Sequence, residues 1–174
     1  TSRVLKNIVN LAMSTLQFLA MDKKTAIFPG SFDPFTKGHE DIVNRALALF
    51  DEIVIAIGYN ASKQYMFDLE KRKAHIEEIY QNEPRVRVDH FYELTVTYAQ
   101  KANAQFILRG IRNSTDMEFE KSICQMNKKL DDQIETWFIM TAPELSAINS
   151  TIVRDIFRHK GDISQFVSKA TLLQ

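Results

Sequence analysis

Cysteine, net charge and long apolar runs are all scarce in this sequence. Cys124 is the only cysteine among 174 residues, so an intramolecular disulfide cannot form, which favours a reducing, cytoplasmic compartment. No stretch approaches the roughly 20 consecutive apolar residues of a membrane-spanning helix. Lys plus Arg and Asp plus Glu each number 22, giving a formal net charge of zero. Electrostatic attraction therefore does not argue for a nucleic acid or an anionic membrane as partner, and we expect neither.

What the sequence does contain is a regular alternation of strand and helix patterns. Runs rich in β-branched and aromatic residues predict five strands, at 25–28, 53–58, 85–91, 106–108 and 136–140. Apolar residues at helical spacing predict helices at 39–50, 68–81, 96–103, 114–130 and 150–159, with a short helix and tail after 162. This alternation is typical of an α/β protein with a Rossmann-like, doubly wound, five-stranded parallel sheet. We predict the strand order 3-2-1-4-5, with ligands bound beyond the carboxyl ends of the strands.

The loop after the first predicted strand combines turn residues with a histidine at a helix start. Pro29-Gly30 ends the strand, Asp33-Pro34 bends the loop, and Gly38 permits close approach to the backbone. His39 follows in the first helical turn, where free N–H groups and the helix dipole favour an anion. We interpret residues 28–39 as a phosphate site.

Two further loops carry polar residues at the same edge of the predicted sheet. Arg109 and Arg112 follow the fourth strand, and an arginine there can fork two donors onto phosphate oxygens. A salt bridge at the rim of the sheet is the alternative for each arginine. Ser150 is the predicted N-cap of the helix at 150–159. Because strands one and four are neighbours in the predicted order, these loops should converge with His39 on one crevice.

The motifs in these loops resemble those of a known family. The run Gly30-Ser31-Phe32-Asp33-Pro34 followed by Thr36-x-Gly38-His39 is similar to the first signature of the nucleotidyltransferase superfamily. Three later motifs resemble those of the bacterial phosphopantetheine adenylyltransferases: Ser62-Lys63-x-x-Met66-Phe67, Arg109-Gly110-Ile111-Arg112 with Asp116 and Glu120, and Ile148-Asn149-Ser150-Thr151 with Arg154. In the last motif Asn149 replaces the usual serine. The resemblance spans about residues 23–167, with the motifs in the family's order and spacing.

The resemblance implies a reaction and a set of site residues. The reaction is transfer of the adenylyl group of ATP to 4′-phosphopantetheine, the penultimate step of coenzyme A synthesis, giving 3′-dephospho-coenzyme A and pyrophosphate. The implied catalytic residues are His39, Lys63 and Arg109, and the implied phosphopantetheine site comprises Ser31, Lys63, Thr95 and Arg109. The implied ATP site comprises Ser31, Phe32, His39, Gly110, Ile111, Arg112, Glu120, Leu145, Ser146, Ala147, Ile148, Asn149, Ser150 and Thr151, with Arg158 as a further cation. Also implied are Mg²⁺ held mainly by phosphates and water, a homohexamer, and coenzyme A as a feedback ligand.

Such a reaction needs few acid–base groups. Its nucleophile is a phosphate that is already an anion at neutral pH, so a general base is not required. Charge accumulates on the α-phosphate of ATP in the transition state, and catalysis then consists of positioning and preorganised positive donors. His39 would stabilise the α-phosphate, Lys63 would bridge it to the nucleophile, and Ser31 would orient the substrate.

Two other functions stay open on the sequence. A different nucleotidyltransferase, acting on nicotinate mononucleotide or making a CDP-alcohol, would share the fold and the mechanism. The spacing Thr36-x-Gly38-His39, in place of His-x-Gly-His, favours the phosphopantetheine branch. The second alternative is a non-catalytic module that binds a nucleotide or coenzyme A, against which the presence of His39 and Lys63 argues.

Residues 1–20 precede the region of resemblance. Val4, Ile8, Leu11 and Phe18 fall at helical spacing, which favours an amphipathic helix. Polar residues interrupt the apolar region that a signal peptide would need. We predict an N-terminal extension at 1–20, outside the catalytic fold, and a single nucleotidyltransferase domain at 21–174.

Overall fold

The computed structural model describes residues 23–169 and residue 173. This part of the chain contains five strands: β1 (Thr25–Gly30), β2 (Glu52–Gly58), β3 (Val86–Phe91), β4 (Phe106–Ile111) and β5 (Glu135–Met140). It also contains five α-helices: α1 (Lys37–Ala46), α2 (Leu69–Ile79), α3 (Thr95–Lys101), α4 (Ser114–Leu130) and α5 (Ser150–Arg158), with a 3₁₀ turn at Pro143–Leu145. The amphipathic helix predicted within residues 1–20 lies outside the described residues.

The strands form one parallel sheet in the order β3-β2-β1-β4-β5, which confirms the predicted topology. Strand β2 pairs along its length with β1 on one side and β3 on the other. Residues 53–57 of β2 are fully buried, as a continuous apolar run in a parallel sheet predicts. Strand β3 lies at one edge of the sheet, which accounts for its more polar, alternating sequence.

Helices cover both faces of the sheet. Because side chains alternate along a strand, Ala26 and Phe28 of β1 pack in one core cluster with residues of α1 and α2. Ile27, between them, packs in a second cluster with Val96 and Ala99 of α3. The doubly wound arrangement therefore leaves the carboxyl ends of β1 and β4 side by side, and the loop from β1 leads directly into α1. None of the helices in the described ranges has the length and apolarity to span a bilayer.

Two predicted boundaries are wrong at the edge of the site. Strand β4 continues through Ile111, so Arg109 and Gly110 belong to the strand and do not follow it. They continue the strand because β5 pairs with it through Ile111↔Met140. Helix α1 ends at Ala46, four residues earlier than predicted, since Ala48 N–H bonds the carbonyl of Arg45 in a tighter turn.

The predicted N-cap of the last α-helix is also wrong. Asn149, not Ser150, is the N-cap of α5, and its side chain accepts a hydrogen bond from Ile152 N–H. The Ser150 hydroxyl instead donates to the carbonyl of Pro34 at 2.9 Å. Residues 162–169 form turns and no regular helix, with Ile163 and Val167 buried against Phe67 and Val153.

Candidate active site

A cavity of about 440 Å³ opens where the carboxyl ends of β1 and β4 meet. The β1–α1 loop, the end of β4, the start of α4 and the start of α5 form its walls. This is the switch point of the strand order, where the sheet topology predicts a ligand site. A smaller cavity of about 320 Å³ adjoins it on the β2 side and shares Ser31, Lys63 and Arg109 with it.

Most of the residues predicted from the sequence lie in these two cavities. The larger cavity is lined by twelve of them: Ser31, Phe32, His39, Lys63, Arg109, Gly110, Arg112, Glu120, Ile148, Asn149, Ser150 and Thr151. Thr95 lines the smaller cavity. Four others are not among the lining residues of either cavity: Ile111, Leu145, Ser146 and Ala147. Ile111 is 1% exposed and is a core residue of the sheet.

His39 is fixed in an aromatic surround. The centre of its ring lies 5.2 Å from the centre of the Phe32 ring, 5.3 Å from that of Phe35 and 6.2 Å from that of Phe28. Phe32 has a left-handed φ of 47°, a conformation that costs about 1 kcal/mol or more for a residue with a side chain. A Cβ atom at Gly30 would lie 2.7 Å from the Phe32 ring, so glycine at that position allows this packing. The sequence therefore immobilises the imidazole before any ligand binds.

The backbone decides which nitrogen of His39 carries the proton. Nδ1 accepts a hydrogen bond from the N–H of Thr36 at 2.9 Å, and a backbone N–H can only donate. Nδ1 must therefore be unprotonated, which leaves the proton on Nε2. Burial, together with the positive charges of Arg112 and Arg109, lowers the pKa of His39 from 6.5 to about 4. At neutral pH His39 is thus a neutral imidazole with one N–H donor.

This pKa makes the stability of the protein sensitive to mild acid. The unfolded chain takes up a proton on His39 near pH 6.5, whereas the folded chain does so only near pH 4. Stability is therefore expected to fall as the pH drops through this window, by about 2 kcal/mol from this residue between pH 7 and pH 5. Denaturant unfolding of the wild type and of His39→Asn at both pH values measures the difference. An equal loss of stability in the two proteins would contradict the lowered pKa.

Lys63 and Ser31 meet where the two cavities join. The Lys63 ammonium donates a hydrogen bond to Ser31 Oγ at 3.0 Å, although the residues belong to different loops. Lys63 also lies 5.6 Å from the centre of the Tyr65 ring. A mobile cation beside a hydroxyl can hold a phosphate that faces both cavities.

The arginines of the predicted phosphate site pair with carboxylates of α4. Arg109 donates from Nε to Glu120 at 2.7 Å, donates from Nη2 to the same carboxylate, and donates from Nη1 to the carbonyl of Pro29 at 2.7 Å. Arg112 donates from Nε and Nη2 to Asp116, and these hydrogen bonds lower the pKa of Asp116. Both arginines therefore form the salt bridges that the sequence analysis gave as the alternative to phosphate contacts. A guanidinium has five N–H donors, so each arginine also keeps donors for an incoming phosphate.

Helix α5 contributes a second helix N-terminus to the larger cavity. Asn149 and Ser150 place the first turn of α5 opposite the first turn of α1, and both ends favour an anion. Arg154 lies in the cavity wall, donating from Nη1 to the carbonyl of Asp33 at 2.7 Å. Arg158, which the sequence analysis considered as a further cation, is not among the lining residues. Helical spacing explains why Arg154 lines the cavity, because Arg154 lies one turn after Ser150 and shares its face of the helix.

The carboxylates of the cavity are occupied by protein donors. Glu120 and Asp116 pair with arginines, and Asp33 accepts hydrogen bonds from the N–H groups of Met66 and Phe67. Among residues 23–169 and 173, no group of three or more metal-ligating side chains could hold an ion. The described carboxylates therefore do not form a set of ligands that could hold Mg²⁺ without oxygens from a bound substrate or water.

Fold and site together define the class of protein. The sheet order and the phosphate-binding features at its switch point are typical of nucleotide-binding α/β proteins. A family model described as cytidylyltransferase-like matches residues 27–156. A solved structure from Vibrio parahaemolyticus, provisionally named a nicotinate-nucleotide adenylyltransferase, superposes with a TM-score of 0.67 over 87% of this chain and 91% of that one, at 19% sequence identity. At that identity the superposition shows the fold alone.

Curated relatives specify the family more narrowly. The chain is 56% identical to the phosphopantetheine adenylyltransferase of Flavobacterium johnsoniae over 84% of this chain and 96% of the relative. It is 50% identical to the protein of the same name from Cytophaga hutchinsonii, over 83% and 96%. The relative from Leptospira biflexa is 44% identical over 83% and 91%. The chain belongs to the phosphopantetheine adenylyltransferase family, and is thus an enzyme of the nucleotidyltransferase class.

Proposed function

We propose that this cleft transfers the adenylyl group of ATP to 4′-phosphopantetheine, giving 3′-dephospho-coenzyme A and pyrophosphate. The observation that carries the proposal is the convergence of His39, Lys63 and Ser31 on one cleft. The chain that forms this cleft is 44–56% identical to proteins named phosphopantetheine adenylyltransferase. The reaction is a step of coenzyme A biosynthesis. It needs donors for phosphates of two substrates, and the two joined cavities supply them.

The two cavities suggest where each substrate lies. The larger one, with two helix N-termini and with Arg112 and Arg154, suits the polyphosphate and nucleoside of ATP. The smaller one, with Thr95 and the rings of Tyr59 and Phe91, suits the uncharged pantetheine arm. The phosphate of 4′-phosphopantetheine would then lie at Lys63, beside the α-phosphate of ATP.

The chain's own residues supply binding and charge stabilisation. The substrate phosphate attacks the α-phosphorus, a new phosphorus–oxygen bond forms, and the bond to pyrophosphate breaks, so that no proton needs to be moved by the protein. The Nε2–H group of His39 donates to an α-phosphate oxygen as charge accumulates there. Lys63 holds the attacking and the attacked phosphates against their mutual repulsion, and Ser31 and Arg109 orient the nucleophile.

Mg²⁺ is part of this proposal as a companion of ATP. It would offset the charge of the triphosphate while phosphates and water hold it, since the cavity carboxylates are engaged by protein donors. A cytoplasmic location and feedback inhibition by coenzyme A are further parts of the proposal, supported by the family relationship and by the shared pantetheine arm.

A homohexamer is also proposed, and an apolar surface supports subunit contacts. Phe119, Met126 and Leu130 are 60–66% exposed, and their spacing of seven and four residues places them on one face of α4. A surface of this kind is typical of a subunit interface. Light scattering of the purified protein should give six chain masses, and a monomer would contradict the proposal.

Residues 21–174 are proposed as the catalytic domain, with residues 1–20 outside it. Removal of residues 1–20 should then leave turnover unchanged. A large loss of activity or of folded yield would show that this segment belongs to the catalytic fold.

The decisive experiment is pyrophosphate release from ATP and Mg²⁺ with each acceptor in turn. We expect release with 4′-phosphopantetheine, none with nicotinate mononucleotide, loss of release in EDTA, and inhibition by coenzyme A. Release with nicotinate mononucleotide alone would keep the mechanism and overturn the substrate. ATP binding without release in the presence of either acceptor would favour a binding module.

A further inference from the structure

Arg72 is a buried charge that lines neither cavity. It lies in the first turn of α2, and only 1% of its surface is exposed. Burial lowers its pKa, as expected for a guanidinium removed from water. An apolar residue would fill the same space without this desolvation cost. The contacts of the guanidinium must therefore explain why a charged side chain occupies this position.

The guanidinium of Arg72 joins the two loops that carry Ser31 and Lys63. Its Nη1 donates to the backbone carbonyl of Ser31 at 2.6 Å, and its Nε donates to the carbonyl of Phe67 at 3.0 Å. Its Cζ atom lies 4.2 Å from the centre of the Tyr65 ring. The Tyr65 hydroxyl in turn accepts a hydrogen bond from the N–H of Asn60 at 2.9 Å. Arg72 thus bonds the backbone at Ser31 and at Phe67 directly and reaches Asn60 through Tyr65, so that it supports both ends of the Lys63 loop (residues 60–67).

Asp33 makes the reciprocal connection. It belongs to the loop of Ser31, and its carboxylate accepts hydrogen bonds from Met66 N–H at 3.0 Å and Phe67 N–H at 2.9 Å. It is 2% exposed. Its negative charge acts to raise the pKa of Arg72, against the lowering that burial causes. Two buried, opposite charges therefore connect the same two loops. Arg72 donates to backbone carbonyls, and Asp33 accepts from backbone N–H groups.

We propose that Arg72 is a positioning residue for the phosphopantetheine site, which it serves by holding Ser31 and Lys63 at their observed separation. The inference rests on the proposed function, because it assigns Ser31 and Lys63 to that substrate. Arg72 contacts neither substrate. It acts on the backbone of one loop and on the aromatic support of the other. A misplacement of about 1 Å between such groups can change turnover about a hundredfold.

The test compares Arg72→Met and Arg72→Lys with Ile76→Ala. Ile76 lies on the same helix, is fully buried and belongs to a core cluster that packs against the sheet, so its truncation destabilises α2 while leaving in place the hydrogen bonds that Arg72 donates to the two loops. Both Arg72 variants should raise the KM for 4′-phosphopantetheine and lower kcat, together about ten- to a hundredfold in kcat/KM. The KM for ATP should stay within about threefold. Ile76→Ala should lower thermal stability and leave these constants near wild type below its unfolding transition.

Amide hydrogen exchange provides a readout that does not depend on activity. Exchange in residues 60–67 should accelerate in the Arg72 variants and not in Ile76→Ala. If Arg72→Lys and Arg72→Met match Ile76→Ala in both kinetics and exchange, Arg72 only packs α2 and the inference is overturned. If Arg72→Met fails to fold, Arg72→Lys carries the comparison. Faster exchange combined with a wild type that does not use 4′-phosphopantetheine would refute the proposed function and leave the loop connection standing.

Discussion

Replacement of His39 by alanine is expected to lower kcat about a thousandfold while ATP affinity stays within about threefold, because the lost hydrogen bond strengthens only as charge develops. The Nε2–H group is the one donor of a neutral, immobilised imidazole. It costs no reorganisation at the moment of reaction, since Phe32 and Phe35 hold the ring in place. Steady-state kinetics and calorimetric ATP binding give the two quantities.

Two conservative variants separate the structural side of the His39 ring from its catalytic side. Asparagine places an acceptor near the position of Nδ1 and keeps the hydrogen bond from Thr36, but it has no group at Nε2. Glutamine places an amide N–H near Nε2 but loses the acceptor for Thr36. We expect His39→Gln to retain more turnover than His39→Asn, and His39→Asn to be the more stable protein. The reverse order of turnover, or equal losses in ATP binding and kcat, would count against His39 as a donor to the transition state.

The second large effect is expected at Lys63. Lys63→Met should lower kcat about a hundredfold or more and raise the KM for 4′-phosphopantetheine about tenfold, because two phosphates would then meet without a cation between them. Ser31 Oγ would lose the hydrogen bond that the Lys63 ammonium donates to it at 3.0 Å. Lys63→Arg retains the charge and should recover part of kcat, although a planar guanidinium directs its donors differently.

The matched control for Lys63 is Lys73→Met. Lys73 lies on α2 and forms an ion pair with Glu77 at 3.8 Å, and it lines neither cavity. An exposed pair of this kind contributes about 0.5 kcal/mol or less to stability, so kinetics and folding should remain near wild type. A comparable loss of turnover in both variants would mean that Lys63 acts only through the general charge of the surface.

The fold of this protein could be read from the sequence to a large extent. The β-branched run of β2 and the alternation in β3 are local signals of a central and an edge strand. Boundaries were less well determined. Strand β4 extends past Arg109 because β5 pairs with it, and pairing with a strand roughly 30 residues further along the chain is invisible in a local pattern.

The candidate site, like the fold, was predicted from the sequence only in part. The motifs identified the residue types, and the strand order predicted that the loops after β1 and β4 converge, which the larger cavity confirms. A salt bridge of Arg109 was one of the two predicted alternatives, but its partner Glu120 and the buried position of Arg72 were not predicted. Arg72 occupies an ordinary helical position in a charged stretch, so no sequence pattern distinguishes it from a solvent-exposed arginine.

The sequence by itself determined the strand order, the loops that form the cleft and the chemical groups those loops carry, since these depend on local periodicity and on short motifs. Only the tertiary structure decided the tautomer of His39, the N-cap of α5 and the connection of two loops by Arg72. Each of these depends on where a hydrogen-bonding partner lies in space: Ser150 bonds Pro34 across 116 residues of chain, and Arg72 bonds Ser31 across 41. A buried polar group must find such a partner or leave its desolvation uncompensated, and the folded arrangement alone fixes which partner it finds.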